Sequence, residues 1–205
     1  DEIALVEDEF RRAIARRFDE LKIFGLNFGK RTRKYQLSVA YISLTTETDF
    51  NNSDDNKVMS TNEALTSYKR LVILGEAGQG KTTLLQWLTV QCGRRAFKNE
   101  QADFNKKVPV LIQLRSLLNE SSLPSELDLY SFMTEGIEIE NSHREWISQI
   151  LENKLAIIMI DGFDEVPKER RQEVLEWINN LCELYNGNQF ILTSRPSAYE
   201  NTSLD

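Results

Sequence analysis

Strands alternating with helices predict an α/β fold for this chain: a three-layer sandwich around a mostly parallel sheet, with a helix and a strand ahead of it. Two observations carry that expectation. The first is a set of short apolar runs, Leu71–Leu74, Val108–Leu114, Leu155–Ile160 and Gln189–Thr193, each too short for a helix; the third holds no polar residue, as suits a strand buried on both faces. The second is the spacing between them. Leu84, Leu85 and Leu88 follow the first run, and Trp146, Ile147, Ile150 and Leu151 precede the third. Val174, Leu175, Ile178, Leu181, Cys182 and Tyr185 precede the fourth, all at helical steps with one apolar face. Strand, helix and next strand then form βαβ units, whose crossovers make the strands parallel.

At 205 residues, 40% hydrophobic and 28% charged, the chain has the length for one sizeable core and the polarity of a soluble globular protein. No apolar run approaches the ~18 residues that a membrane span needs. Asp1-Glu2-Ile3 carries no basic segment, no signal-like apolar core and no initiator Met, so the sequence reads as a piece of a longer, cytoplasmic protein. Cys92 and Cys182 fall on apolar faces of predicted helices without metal-ligand spacing, which predicts buried free thiols. The net charge of −7 is spread evenly, which argues against an extended nucleic-acid surface. The one basic cluster, Lys30, Arg31, Arg33 and Lys34, reads as a solvated turn or as a contact for phosphate, nucleic acid or protein. His143, the single histidine, opens a predicted helix and reads as a surface residue, with no partner from which to build a catalytic dyad.

Ile3, Val6, Phe10, Ile14, Phe18 and Leu21 recur at steps of three or four and predict one amphipathic helix over 3–24, ended by Gly25 and Gly29. Its stripe packs on the same domain, or the helix once continued into an N-terminal effector region. Period-two alternation from Tyr35 to Thr45 predicts a strand, and the Thr/Asn/Ser/Asp-rich residues 45–60 predict a loop. Thr61–Leu65 starts a short helix. After a polar run over 98–107, Pro109 stands at the first position of the second core strand, where a missing donor is tolerated. Helical segments are expected around 127–135 and 143–153, and Pro167 opens a long helix stopped at Asn186-Gly187.

Between the first core strand and its helix, Gly75, Gly80, Lys81 and Thr82 satisfy the spacing G-x-x-x-x-G-K-[ST]. A chance match in a chain this long is on the order of one in a hundred. Glycines let the backbone take positive φ and approach a polyphosphate with successive N–H groups, and the helix beginning near Lys81 adds its positive dipole end. Lys81 can reach the β- and γ-phosphates with a compact charge, and the Thr82 hydroxyl is a hard oxygen suited to Mg²⁺. The candidate nucleotide-binding stretch is therefore Gly75, Glu76, Ala77, Gly78, Gln79, Gly80, Lys81, Thr82 and Thr83.

The most apolar strand ends in Asp161-Gly162-Phe163-Asp164-Glu165, at the sheet edge where such folds bind ligands. Asp161 is placed to hold Mg²⁺ with Thr82, and Asp164 or Glu165 to polarise an attacking water; Glu165 can also be a mere cap for the following helix. The next strand ends in Thr193-Ser194-Arg195-Pro196, and a guanidinium there can touch a γ-phosphate and so tell ATP from ADP, unless Arg195 is a plain surface residue.

Taken together, Gly75–Leu85, Pro109–Arg115, Ile158–Glu165 and Ile191–Pro196 resemble the NACHT domains of the STAND P-loop NTPases, and Tyr41–Leu44 resembles the segment that bacterial members carry ahead of the P-loop. The small residue directly after the metal aspartate, with an acidic pair beyond it, is the feature that marks the family. The resemblance spans residues 35–200; behind the helix and basic turn read over 1–34, it implies a nucleotide-binding domain over 35–205 that is incomplete at its C-terminus. It implies that Lys81 and Thr82 bind phosphate and Mg²⁺, that Asp161 completes the metal site, that Asp164 or Glu165 handles the water, and that Arg195 is the sensor 1 residue. It further implies the strand order 5-1-4-3-2, with the P-loop strand 71–74 an exposed edge here unless another segment covers it, because the fifth strand, the helical lid, the winged-helix part and the C-terminal sensor repeats lie beyond Asp205. Family members are ATP-dependent switches in innate immunity and bacterial antiphage defence, in which a sensor triggers oligomerisation and an effector acts. The function implied is an ATP-binding, slowly ATP-hydrolysing switch that self-associates; the alternative is an assembly module stabilised by nucleotide with incidental turnover. No acceptor-binding motif supports phosphoryl transfer to a small substrate.

Overall fold

The computed structural model describes residues 2–22, 34–36, 45–48, 57–117, 123 and 143–199. Four strands, β5 (Arg70–Leu74), β6 (Val108–Gln113), β7 (Ala156–Asp161) and β8 (Gln189–Ser194), form one parallel sheet in the order β5-β8-β7-β6. This is the 1-4-3-2 part of the order that the resemblance implies. The register puts Leu74 opposite Ser194, Ile160 opposite Leu192 and Gln113 opposite Asp161, so the carboxyl ends of the strands finish level.

Alternation along the strands builds the three layers. Ala156, Ile158 and Ile160 of β7, with Phe190 and Leu192 of β8, pack on one side against α5 (His143–Glu152) and α6 (Arg171–Leu184). Ile157 and Met159, with Ile191 of β8, pack on the other against Leu84, Leu85 and Leu88 of α3 (Lys81–Arg94) and Leu65 of α2 (Thr61–Ser67). All residues of β7 and β8 are buried, which is why those runs carry no polar alternation. Burial also pushes the Cys92 and Cys182 thiols up to about 12 and about 11, leaving both protonated and inert at neutral pH.

The helix α1 (Glu2–Phe18) lies across α3, and its stripe Val6, Phe10 and Ile14 joins the core beside α5, with the rings of Phe10 and Trp146 5.2 Å apart. It is shorter than the 3–24 expected from periodicity. The Asp19 N–H closes the last turn on the Ala15 carbonyl, and the buried Asp19 carboxylate is drawn to Arg94 of α3. The chain then turns into β1 (Glu20–Lys22), antiparallel to β2 (Lys34–Gln36). The expected loop over 45–60 likewise contains an antiparallel pair, β3 (Thr45–Thr48) with β4 (Lys57–Ser60). Pairing there rests on backbone groups and β-branched threonines, which leave no apolar signature. The polar run before β6 coils into a 3₁₀ helix over Asn99–Lys106, β6 runs on into the short helix α4 (Leu114–Leu117), and Pro167 opens a 3₁₀ turn over Lys168–Arg170 that leads into α6. Most of the predicted strand over 35–45, the predicted helix over 127–135 and the basic residues Lys30, Arg31 and Arg33 lie outside the described residues.

Among the described residues β5 pairs only with β8, and Leu74 at its end is 45% exposed. Among the described residues the P-loop strand is thus an edge of the sheet, with a strand partner on one side only. No helix among the described residues is long and apolar enough to cross a membrane.

Candidate functional site

Three strand ends converge on one cavity. The turn after β5, the start of α3, the turn after β7 and the end of β8 enclose about 280 Å³ lined by Ala77 to Thr83, Asp161, Gly162, Asp164, Glu165, Thr193 and Arg195. Gly75 and Glu76 do not line it. Their role is beneath it: the Gly75 N–H donates to the Ser194 carbonyl, continuing the β5–β8 pairing into the loop, and the carbonyls of Gly75 and Glu76 accept from Lys81 Nζ at 2.5 and 3.1 Å. The loop is tied on itself by Gln79, whose Oε1 accepts the Glu76 N–H at 2.7 Å.

Gly80 caps α3 at φ +82°, a left-handed conformation that an L side chain adopts only with strain, and from there the free N–H groups of the first helical turn face the cavity. Lys81, Thr82 and Thr83 are the first residues of that turn, so charge, hydroxyl and dipole converge on one point.

On the opposite wall Asp161 is buried, with Oδ1 accepting the Thr193 hydroxyl at 2.7 Å. The same hydroxyl oxygen accepts the Gly162 N–H at 3.0 Å, so Thr193 fixes both the carboxylate and the turn behind it. No spacing in the sequence marks Thr193 as a site residue. The pairing of Ile160 with Leu192 places it one step on, next to Asp161, and a buried hydroxyl at a strand end was the signal available. Gly162 sits at φ +86°, where a Cβ would come within 3.2 Å of Glu165 Cδ.

The two remaining carboxylates are not equivalent. Asp164 is mostly buried and forms an ion pair with Arg195, Oδ2 to Nε at 2.8 Å, whereas Glu165 is exposed at the cavity mouth. Mg²⁺ in such folds keeps several waters and takes one or two protein oxygens besides those of the phosphates. The wall suits that demand: Asp161 and Thr82 offer hard oxygens, and no group of three or more His, Cys, Asp or Glu forms an all-protein cage among the described residues.

A larger hollow of about 450 Å³ lies between α1 and the end of α3, lined by Asp8, Arg11, Arg12, Ala15, Arg16, Gly93, Arg94 and Arg95. Size does not make it the functional site. Arg11, Arg94 and Arg95 are ion-paired to Glu7, Asp19 and Asp8, so its charge is largely spent on joining the two helices.

The NACHT domain family model matches residues 69–204, roughly two thirds of the chain, and takes in every residue of the cavity. No curated protein matches the chain. Parallel order, phosphate loop, buried strand-end aspartate and family match agree, and the chain belongs to the NACHT family of STAND-type P-loop NTPases.

Proposed function

We propose that this domain is an ATP-binding, slowly ATP-hydrolysing switch whose nucleotide state controls self-association in immune or antiphage signalling, in a cytoplasmic protein that also carries sensor and effector regions. The observation that carries the reading is the convergence of Lys81, Thr82, Asp161 and Arg195 on one cavity at the carboxyl edge of the sheet. Lys81 and the N–H groups of the loop bind the β- and γ-phosphates of ATP, or the β-phosphate of ADP. Asp161 and Thr82 would hold Mg²⁺, which when bound neutralises charge on the phosphate oxygens. Thr193 keeps the Asp161 carboxylate turned toward that position by its hydrogen bond. Arg195 meets the γ-phosphate, and Glu165 polarises water at the mouth.

The exposure of Glu165 and the ion pair of Asp164 favour slow turnover, because Glu165 stands open to bulk water and the Asp164 carboxylate is engaged by Arg195 instead of by an attacking water. The same two features support the second reading, a nucleotide-stabilised assembly module. Calorimetric titration with ATP and ADP, with and without Mg²⁺, tests the common part; absence of Mg²⁺-dependent ATP binding rejects both. Single-turnover hydrolysis then separates them. In the switch reading Glu165→Gln holds the ATP Kd within about twofold and slows hydrolysis roughly a hundredfold, the lower end for a positioned base. Hydrolysis by Glu165→Gln at the parent rate would remove Glu165 from the water step.

A further inference from the structure

We infer that Asp164 is a positioning residue for Arg195, acting through that arginine to set how strongly the site prefers a nucleoside triphosphate over a diphosphate. This rests on the nucleotide-binding reading of the cavity and goes beyond it, because it gives Asp164 a binding role instead of a share in the water step. The ion pair joins Asp164 Oδ2 to Arg195 Nε, with the aspartate side chain 11% exposed and the arginine 47% exposed. An arginine that exposed, on a long side chain, loses rotamer freedom when it engages a phosphate. A buried carboxylate at Nε restricts that freedom in advance. It also selects which part of the guanidinium is used, since with Nε facing Asp164 the Nη1/Nη2 edge is the one left for a planar, two-point contact with a terminal phosphate.

The surroundings hold the pair as a unit. Asp164 sits in a 3₁₀ turn, Phe163–Glu165, closed by the Glu165 N–H on the Gly162 carbonyl and the Val166 N–H on the Phe163 carbonyl. Phe163 is fully buried and stacks edge-on against Tyr199, with ring centroids 6.4 Å apart. Tyr199 belongs to the short helix α7 (Pro196–Tyr199) that follows Arg195 directly, and the Ala198 N–H returns to the Arg195 carbonyl at 3.1 Å. The turn carrying the acid and the helix following the arginine are thereby packed together, so Asp164 has a fixed backbone from which to aim Arg195. A diphosphate ends short of Arg195 and gains nothing from that aim.

The test is the ratio of ADP to ATP dissociation constants, measured by calorimetry with Mg²⁺ for the parent, Asp164→Asn, Asp164→Ala, Arg195→Ala and the double variant Asp164→Ala/Arg195→Ala. Using the ratio cancels any general gain from removing a negative charge near phosphate. Asp164→Ala is expected to reduce the ATP preference roughly three- to tenfold, the range for a partly exposed charge contact. Asp164→Asn, which still offers an acceptor, is expected to keep part of it. Adding Asp164→Ala to Arg195→Ala is expected to change nothing further. Circular dichroism melting checks that each variant is folded, and Asp164→Asn, which preserves size, serves if the alanine variant is not. A parent that binds neither nucleotide overturns the site reading and this inference with it. A parent that binds both, with a ratio near one, or with a ratio unchanged by Asp164→Ala and Asp164→Asn, or with an effect of Asp164→Ala that persists without Arg195, overturns this inference alone.

Discussion

Replacing Lys81 by alanine is expected to weaken ATP binding by roughly 2 to 4 kcal/mol, a loss of about thirty- to a thousandfold, while the domain stays folded. The range is that for removing one partner of a desolvated charge pair. The structure shows what the lysine does before a phosphate arrives: Nζ lies on the Gly75 and Glu76 carbonyls, under the loop. Phosphate therefore meets an ammonium already positioned, and the ordering cost is low. It also competes with two carbonyl acceptors, which keeps the net effect below that of an isolated buried pair. Stability is expected to change little, because Lys81 is only half-buried, begins α3, and alanine is a good helix former. Calorimetry with Mg²⁺-ATP on parent and variant decides it. Equal affinities would show that the loop binds phosphate by backbone N–H groups and dipole alone.

The parts of the site legible in the sequence are those fixed by backbone. A phosphate loop needs glycine at Gly80, a turn needs it at Gly162, and strands buried on both faces announce themselves as unbroken apolar runs, so the P-loop, Asp161 and Arg195 could be placed from spacing. The parallel register then makes their convergence unavoidable. What spacing cannot give is which carboxylate faces which cation. Asp164 and Glu165 are adjacent letters, yet a single turn sends one to Arg195 and leaves the other exposed. The role of Thr193 was hidden for a similar reason. Its hydroxyl serves Asp161 across a strand boundary, a contact thirty-two residues apart in the chain.

The N-terminal half was less legible because its elements are short and polar. Pairing of Thr45–Thr48 with Lys57–Ser60 needs only backbone donors and acceptors, and no apolar alternation marks it. In α1 the hydrophobic period runs on to Leu21, past the point at which the buried Asp19 ends the helix. Periodicity leaves two fates open for its apolar stripe, since it says that a face is covered and not by what. A charged residue decides the matter, and periodicity passes over it: Arg11, beside Phe10 on the buried face.

Arg11 is only 2% exposed, and its guanidinium joins three parts of the fold. Nη1 donates to the Cys92 carbonyl at 2.6 Å, in the last turn of α3, and to the Lys107 carbonyl at 2.9 Å, just before β6. Nη2 reaches the Lys106 carbonyl at 3.4 Å, and Nε donates to Glu7 Oε1 at 2.7 Å. The last carbonyls of a helix lack intrahelical donors and sit at the negative end of its dipole, so a buried cation is well placed there. Arg11→Met keeps most of the apolar stem and removes every donor, leaving Glu7 and the carbonyls without it. The expected loss of stability is about 3 kcal/mol, the low end for breaking a buried pair because Glu7 is partly exposed. In a domain this size that lowers Tm by roughly 6 to 12 °C. Urea unfolding is expected to move in midpoint with an unchanged slope, and Arg11→Lys is expected to recover only part, since one ammonium cannot span all the acceptors. The acid limb supplies an independent reading. Burial pushes the Glu7 carboxyl up, but the hydrogen bonds and charges of Arg11 and Arg95 outweigh burial and hold it below its ordinary 4.5. Its contribution is therefore fully present above that value and is lost as pH falls through the lower, folded one. In Arg11→Met that acid-induced loss is expected to shrink, so the stability gap between parent and variant narrows as the pH falls below about 4.5. A gap under about 1 kcal/mol at neutral pH would show that α1 is held by its apolar stripe alone, and a larger gap that stays constant through the acid limb would assign the Arg11 contribution to the carbonyls and not to Glu7.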